Sequence, residues 1–205
     1  MNFDDVIDRL RERSTWIFDL DGTLTIAQHD FAAIRRKLGI AERAPILEAL
    51  DAMPEPERIE KRRWLDEMEA ELAGQAQPAD GAKVLLEALA EAGHQLGVLT
   101  RNTKPNAHIS LEATGLAPFF EEVNVLGRDE AKPKPDPEGI LRLLGSWSRE
   151  ATSAVMLGDY VYDLEAGRNA GTMTVHVDAL DRFDFGDRAD LRTLGLPPLA
   201  QLLFS

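Results

Sequence analysis

The sequence predicts an α/β fold: a parallel sheet of about five strands with helices on both faces, plus a small all-helical cap inserted after the first strand. Three observations predict it. Short apolar runs of strand length alternate with helical patterns along most of the 205 residues, and these runs are apolar at successive positions, as strands covered on both faces are. The alternation is interrupted once, by helical patterns alone between residues 27 and 77. Polar and charged residues cluster just after the apolar runs, where open α/β sheets bind their ligands.

Phe3, Val6, Ile7 and Leu10 keep helical spacing with acids between them, so a short amphipathic helix leads in. Residues 14–20 read as the first strand. From about 30 to 74, FAAIRRKLG, PILEALDAM and PEPERIEKRRWLDEMEAELAG are helical and separated by Gly and Pro. Asp80-Gly81 marks a turn, and KVLLEALAEAG is a helix ending at Gly93. Strand-length runs then occupy 95–99, 123–126, 154–157 and 174–177, with helices near 105–115, 137–145 and 163–170 between them. The division is a core of residues 1–26 and 78–205 and a cap of residues 27–77.

Composition narrows the function. Lys and Arg number 23 against 36 Asp and Glu, a formal charge of −13. An acidic surface repels nucleic acid and anionic membranes, so neither is an expected partner, and any phosphate site must be locally positive. The absence of cysteine excludes disulfides, thiolate metal sites and a Cys nucleophile. The start, MNFDDVIDRLRERS, lacks the basic and apolar blocks of a secretory signal, and no apolar run reaches membrane-spanning length. A cytoplasmic location is expected.

The residues just beyond each strand carry the chemistry. After the first strand come Asp19, Asp21 and Gly22-Thr23. After QLGVL come Thr100, Arg101 and Asn102. After 123–126 comes GRDEAKPKPDP, with Lys132 and Lys134. After AVML come Gly158, Asp159, Tyr160, Val161, Tyr162 and Asp163. Two neighbouring carboxylates at the start of a buried sheet repel each other and are hard to ionise, so stability gives no reason for them. Together with the later lysine and aspartates they form an inventory for phosphate and metal: hard oxygen ligands for Mg²⁺ and donors for phosphoryl oxygens.

On FDLDGTLT at 18–25, VLTRN at 98–102, KPKPDP at 132–137 and GDYVYDLEAGRNAG at 158–171, the sequence resembles the haloacid dehalogenase (HAD) superfamily, in its phosphoglycolate-phosphatase-like branch with a helical cap. The ending ADLRTLGLPPLAQLL also resembles that family's last short strand and helix. The resemblance implies a Rossmann-like core and a Mg²⁺-dependent phosphatase acting on a small phosphorylated metabolite through an aspartyl-phosphate. Asp19 would be the nucleophile and Asp21 the acid and base. Asp19, the Asp21 carbonyl and Asp159 would hold Mg²⁺, with Asp163 supporting through water or the lysine. Thr100 and the backbone amides after it, at Arg101 and Asn102, would bind phosphoryl oxygens. Both Lys132 and Lys134 fit the family's KPxP; Lys134 is favoured because Asp136 as N-cap and Pro137 at the first helical position would then start the next helix.

Plainer roles stand beside these. Asp163 is placed to cap the helix after it, and Arg101 and Asn102 fit an exposed loop. The basic residues Arg35, Arg36, Lys37, Arg62 and Arg63 read as a solvated, salt-bridged face, although one of them reaching an anionic substrate is sensible chemistry. The four histidines show no metal-ligand spacing and are assigned nothing. Dehalogenation proper is disfavoured because dehalogenases lack the second aspartate and need no metal. A phosphosugar mutase of the β-phosphoglucomutase type, or a non-catalytic phospho-ligand-binding regulator, is the alternative reading.

Overall fold

The computed structural model describes residues 3–204. Among these residues six strands form one sheet: β1 (Thr15–Phe18), β2 (Gln95–Leu99), β3 (Val125–Leu126), β4 (Ala154–Gly158), β5 (Met173–Val177) and β6 (Leu191–Thr193). Their spatial order is β3-β2-β1-β4-β5-β6, and every pairing is parallel. Helices α1 (Phe3–Arg11), α5 (Ala82–Glu91), α6 (Lys104–Ala113), α7 (Glu138–Ser146), α8 (Val161–Ala170) and α9 (Leu196–Phe204) belong with the sheet. Between β1 and α5 lie α2 (Phe31–Leu38), α3 (Ile46–Asp51) and α4 (Glu55–Gly74).

Side chains alternate between the two faces along β1, and helices bury both faces, so every residue of this strand is apolar or buried. Trp16 and Phe18 enter a core with Leu85, Leu89, Leu111 and Leu199. Ile17 points the other way, into a core with Met156, Ile140, Leu143 and Ala166. Each such side chain fully buried is worth about 1.5–3 kcal/mol of hydrophobic stabilisation.

Several expectations need correction. The sheet has six strands rather than about five, because residues 191–193 of the ADLRTLG tail pair with β5. That strand is three residues long with an exposed centre, too short for periodicity to declare it, but it and α9 are the short strand and helix that the family resemblance implied for this ending. The run 123–126 is a strand only at Val125–Leu126; residues Glu122–Asn124 form a 3-10 turn with Val123 in solvent. Helix α7 begins at Glu138, with Pro137 rather than Asp136 as its cap residue. The Asp136 carboxylate still accepts from the Glu138 N–H at 2.9 Å, so it satisfies a free donor of the first turn from one position further out.

The segment between β1 and α5 has its own apolar cluster, including Ile34, Leu38, Ile46, Leu50 and Leu65. Asp30 caps α2 by accepting from Ala33 N–H at 2.9 Å, and Gly39 ends it in the left-handed conformation at φ 67°. The chain leaves and re-enters the sheet region side by side: Ile26 N–H donates to Gln77 O, and Ala79 N–H to Leu24 O, each at 2.9 Å. Two arginines tie this segment to the loops after the strands. Arg101 Nη2 contacts both Glu48 carboxylate oxygens at 2.9 Å. The buried Arg128 guanidinium donates to Asp66 at 2.5 Å and Glu69 at 2.8 Å, both on α4. No described helix is long and apolar enough to cross a membrane.

Candidate active site

The first strand lies between β2 and β4. The chain turns to one side of it for β2 and β3 and crosses back for β4, which makes β1 and β4 the point where strand order reverses, the usual ligand crevice of such a sheet. Asp19 is the residue after β1, its N–H still donating to Leu157 O at 2.9 Å. The turn behind it is closed by Gly22 N–H to Thr25 O and Thr25 N–H to Leu20 O, at 3.0 and 2.9 Å. Gly22 has φ +97°, and a Cβ there would stand 2.6 Å from Asp159 Oδ2. A glycine is required on both counts.

Asp19, Asp159 and Asp163 each present a carboxylate oxygen, and the three oxygens lie within 4.8 Å of one another. Lys134 reaches into this group from the loop before α7. Its Nζ is 2.5 Å from Asp19 Oδ1 and 2.6 Å from Asp163 Oδ1, and its side chain is 2% exposed. Lys132 points outward, 70% exposed, toward Asp136 and Glu138. Asp163 also accepts from the Tyr160 N–H at 3.0 Å, so it caps α8 and meets the lysine with its two oxygens.

Burial and like charge dominate the titration of the group. Burial pushes the Asp19 carboxyl well above the ordinary carboxylate range; Lys134 opposes the shift, and the charges of Asp163 and Asp159 add to it. Asp159 rises to about 7, again through burial first and Asp163 second, with Lys134 opposing. Burial works to lower the Lys134 pKa, but Asp163 and Asp19 outweigh it, and the ammonium is held. Both members of the Lys134–Asp19 pair therefore shift upward, which a simple ion pair would not do. Burial of Asp19 is the larger reason, and the geometry adds to it: two carboxylates contact the one ammonium and a third stands beside them. One cation leaves two negative charges over, and an all-oxygen cluster with that surplus fits a hard divalent ion.

Of the other expected residues, Asp21 and Thr100 line the cavity beside this cluster, although the Asp21 side chain is outside the three-carboxylate group. Thr100 is buried, and its Oγ1 accepts from the Asn102 N–H at 3.0 Å. Asn102 uses its side-chain oxygen within its own loop, accepting from the Thr103 N–H and the Asn106 amide. The Arg101 side chain turns away to Glu48 and the Lys134 carbonyl and stacks over Tyr162, 4.5 Å from the ring centre. Among Arg35, Arg36, Lys37, Arg62 and Arg63, Arg35 alone borders the cavity.

Sequence reasoning gave no role to three contributors. The His176 ring is buried, and its Nε2–H donates to the Asp159 main-chain oxygen at 3.1 Å. Thr23 Oγ1 donates to Asp159 Oδ1 at 3.3 Å. Glu69, from α4, borders the cavity, and burial raises it to about 7 against the opposing charge of Arg128. Thr23 was the most accessible from the motif, since it directly follows Gly22. The other two depend on strand register and helix docking, which no local pattern displays.

Fold and site together define an α/β protein with a carboxylate–lysine cluster at the carboxyl edge of a parallel sheet. The chain belongs to the haloacid dehalogenase-like hydrolase family, whose model matches residues 28–177. It is 39% identical over 92 residues to the pyrophosphatase PpaX of Bacillus velezensis, a stretch covering 45% of this chain and 42% of that protein. The match thus spans less than half the length of that relative. It is 29% identical over 183 residues to an N-acetylmuramic acid 6-phosphate phosphatase of Pseudomonas aeruginosa, covering 78% of this chain and 80% of the other. A hydrolase structure from Pseudomonas syringae superposes with a TM-score of 0.74 at 21% identity, over 94% of this chain and all of that one, which shows the shared fold.

Proposed function

We propose that the protein is a Mg²⁺-dependent phosphatase that hydrolyses a small phosphomonoester through an aspartyl-phosphate. The observation carrying this reading is the Lys134 ammonium set between Asp19 and Asp163 beside Asp159. A buried carboxylate becomes a usable nucleophile only when cations hold it ionised and neutralise the incoming phosphoryl group.

Asp19 attacks phosphorus, and the P–O bond to the alcohol breaks as Asp21 gives that oxygen its proton. Asp21 then takes a proton from the water that attacks the aspartyl-phosphate, releasing phosphate and restoring Asp19. Thr100 and the backbone amide of Arg101 hold phosphoryl oxygens, the Asn102 N–H instead fixing the Thr100 hydroxyl by donating to it, and Lys134 neutralises both the nucleophile and the phosphate. Asp19, the Asp21 carbonyl and Asp159 would hold Mg²⁺, with Asp163 in support; when bound, the ion offsets the surplus negative charge of the cluster and of the substrate. Residues 27–77 act as a cap over the site and residues 1–26 and 78–205 as the catalytic core, the cap excluding water while the aspartyl-phosphate forms. The family membership and the two phosphatase relatives support the reading.

The deciding experiment measures phosphate release from an aryl phosphate with Mg²⁺, for the wild type and for Asp19→Asn. Loss of turnover with an unchanged circular dichroism spectrum is expected. Near-full activity in the variant rejects the assignment.

A further inference from the structure

The cavity above Asp19 measures about 440 Å³, a volume that accommodates a whole small molecule rather than a phosphoryl group alone. Away from the carboxylates it is bounded by Phe31 and Ile34 of α2, Ile46 and Leu47 of α3, Leu65 of α4, and Tyr160. Phe31 and Tyr160 are 52% and 44% exposed, a large apolar surface to leave wet beside a polar centre. Neither ring is loose. Phe31 stacks on His29 with centroids 5.4 Å apart, and Tyr160 meets Tyr162 and Phe185 edge-on at 5.1 Å each.

A second anionic group is held most firmly by a guanidinium edge with both nitrogens free, and neither arginine lining the cavity presents one. Arg101 gives Nη2 to Glu48 and Nη1 to the Lys134 carbonyl. Arg35 gives Nε to the Ala44 carbonyl at 2.9 Å and Nη1 to the Phe31 carbonyl at 3.2 Å. Asp21 and Glu69, the latter paired with Arg128, border the same space and bring no positive charge to it.

We infer that the alcohol part of the substrate is apolar, an aromatic or hydrocarbon body lying against Phe31, Ile46, Leu47 and Tyr160, and not the small acid of phosphoglycolate. This rests on the phosphatase reading of the same site. Phosphate provides the fixed end, and the apolar wall supplies binding energy that small polar alcohols cannot use.

The test compares kcat/KM for phosphate release from four esters of primary alcohols, so that leaving-group reactivity is similar: 2-phenylethyl phosphate, hexyl phosphate, glycerol 3-phosphate and 2-phosphoglycolate. At least about a tenfold preference for the first two is expected. Phe31→Ala, a change at an exposed position that leaves the core packed, should shrink that preference several-fold. Equal or better turnover of the two small polar esters overturns the inference and leaves the phosphatase reading intact. No hydrolysis of any of the four, in protein that remains folded, overturns both.

Discussion

Lys134 Nζ lies 2.6 Å from Asp163 Oδ1 and only 2.5 Å from Asp19 Oδ1, so one buried ammonium joins the ends of β1 and the start of α8. Removing one member of a buried ionic group strands the others, and such losses run to about 3–5 kcal/mol. Without added metal, Lys134→Met should therefore destabilise the protein by about that amount in urea unfolding, and it should also abolish phosphate release. Lys132→Met changes an exposed side chain and should move stability by less than about 0.5 kcal/mol. Equal effects from the two substitutions would contradict the placement of the lysine.

Asp159 makes the opposite demand. Its carboxyl is raised to about 7 by burial and by Asp163, so at neutral pH the carboxylate is a burden on the metal-free fold. Asp159→Asn should raise the melting temperature in EDTA. Saturating Mg²⁺ should stabilise the wild type, by about 2.7 kcal/mol at a hundredfold excess over Kd, and should leave the variant nearly unmoved. Differential scanning fluorimetry with and without Mg²⁺ reads both. A Mg²⁺ response that survives in Asp159→Asn would remove this residue from the ligand set.

Gly22 holds the turn at φ +97°, and an added Cβ would collide with the Asp159 carboxylate. Gly22→Ala thus combines backbone strain of about 1–3 kcal/mol with a displaced Asp159. A misplacement near 1 Å in such a site costs about a hundredfold in rate. Turnover should fall at least that far while the protein stays folded at 25 °C. A variant that kept kcat within a few-fold would show that the close approach of Gly22 to Asp159 is incidental.

Much of this site was legible because its residues come directly after strands. Apolar runs announce β1, β2 and β4, and a parallel sheet brings their carboxyl ends together, so Asp19, Thr100 and Asp159 could be assembled from the chain alone. The KPKPDP segment offered two lysines that fit the same pattern, and they differ in burial, which depends on how the loop packs over the sheet. His176 stands inside β5 opposite Gly158, so its bond to the Asp159 carbonyl is a matter of register. Arg128 meets Asp66 and Glu69 across about sixty residues, and only the docking of α4 onto the strand-end loops creates that contact. Local pattern, in short, reads elements and their ends, whereas contacts between separately folded segments require the packing.

The Arg128 contact has a pH signature. Two carboxylates, Asp66 and Glu69, share one guanidinium, and burial lifts Glu69 from 4.5 to about 7 despite Arg128. Because the native pKa lies above the unfolded one, the folded chain binds more protons between those values, and stability declines as pH rises from about 4.5 to about 7. The full shift corresponds to at most about 3 kcal/mol. Glu69→Gln keeps an acceptor for Arg128 and removes the titration. Relative to the wild type, it should thus gain stability between pH 5 and about pH 7 and level off by pH 8, by up to that amount, as followed by urea unfolding with Mg²⁺ present. A difference that stays flat across this range, or one that grows as pH falls, would mean that Glu69 is ionised in the native protein throughout and that Arg128 holds both carboxylates as anions.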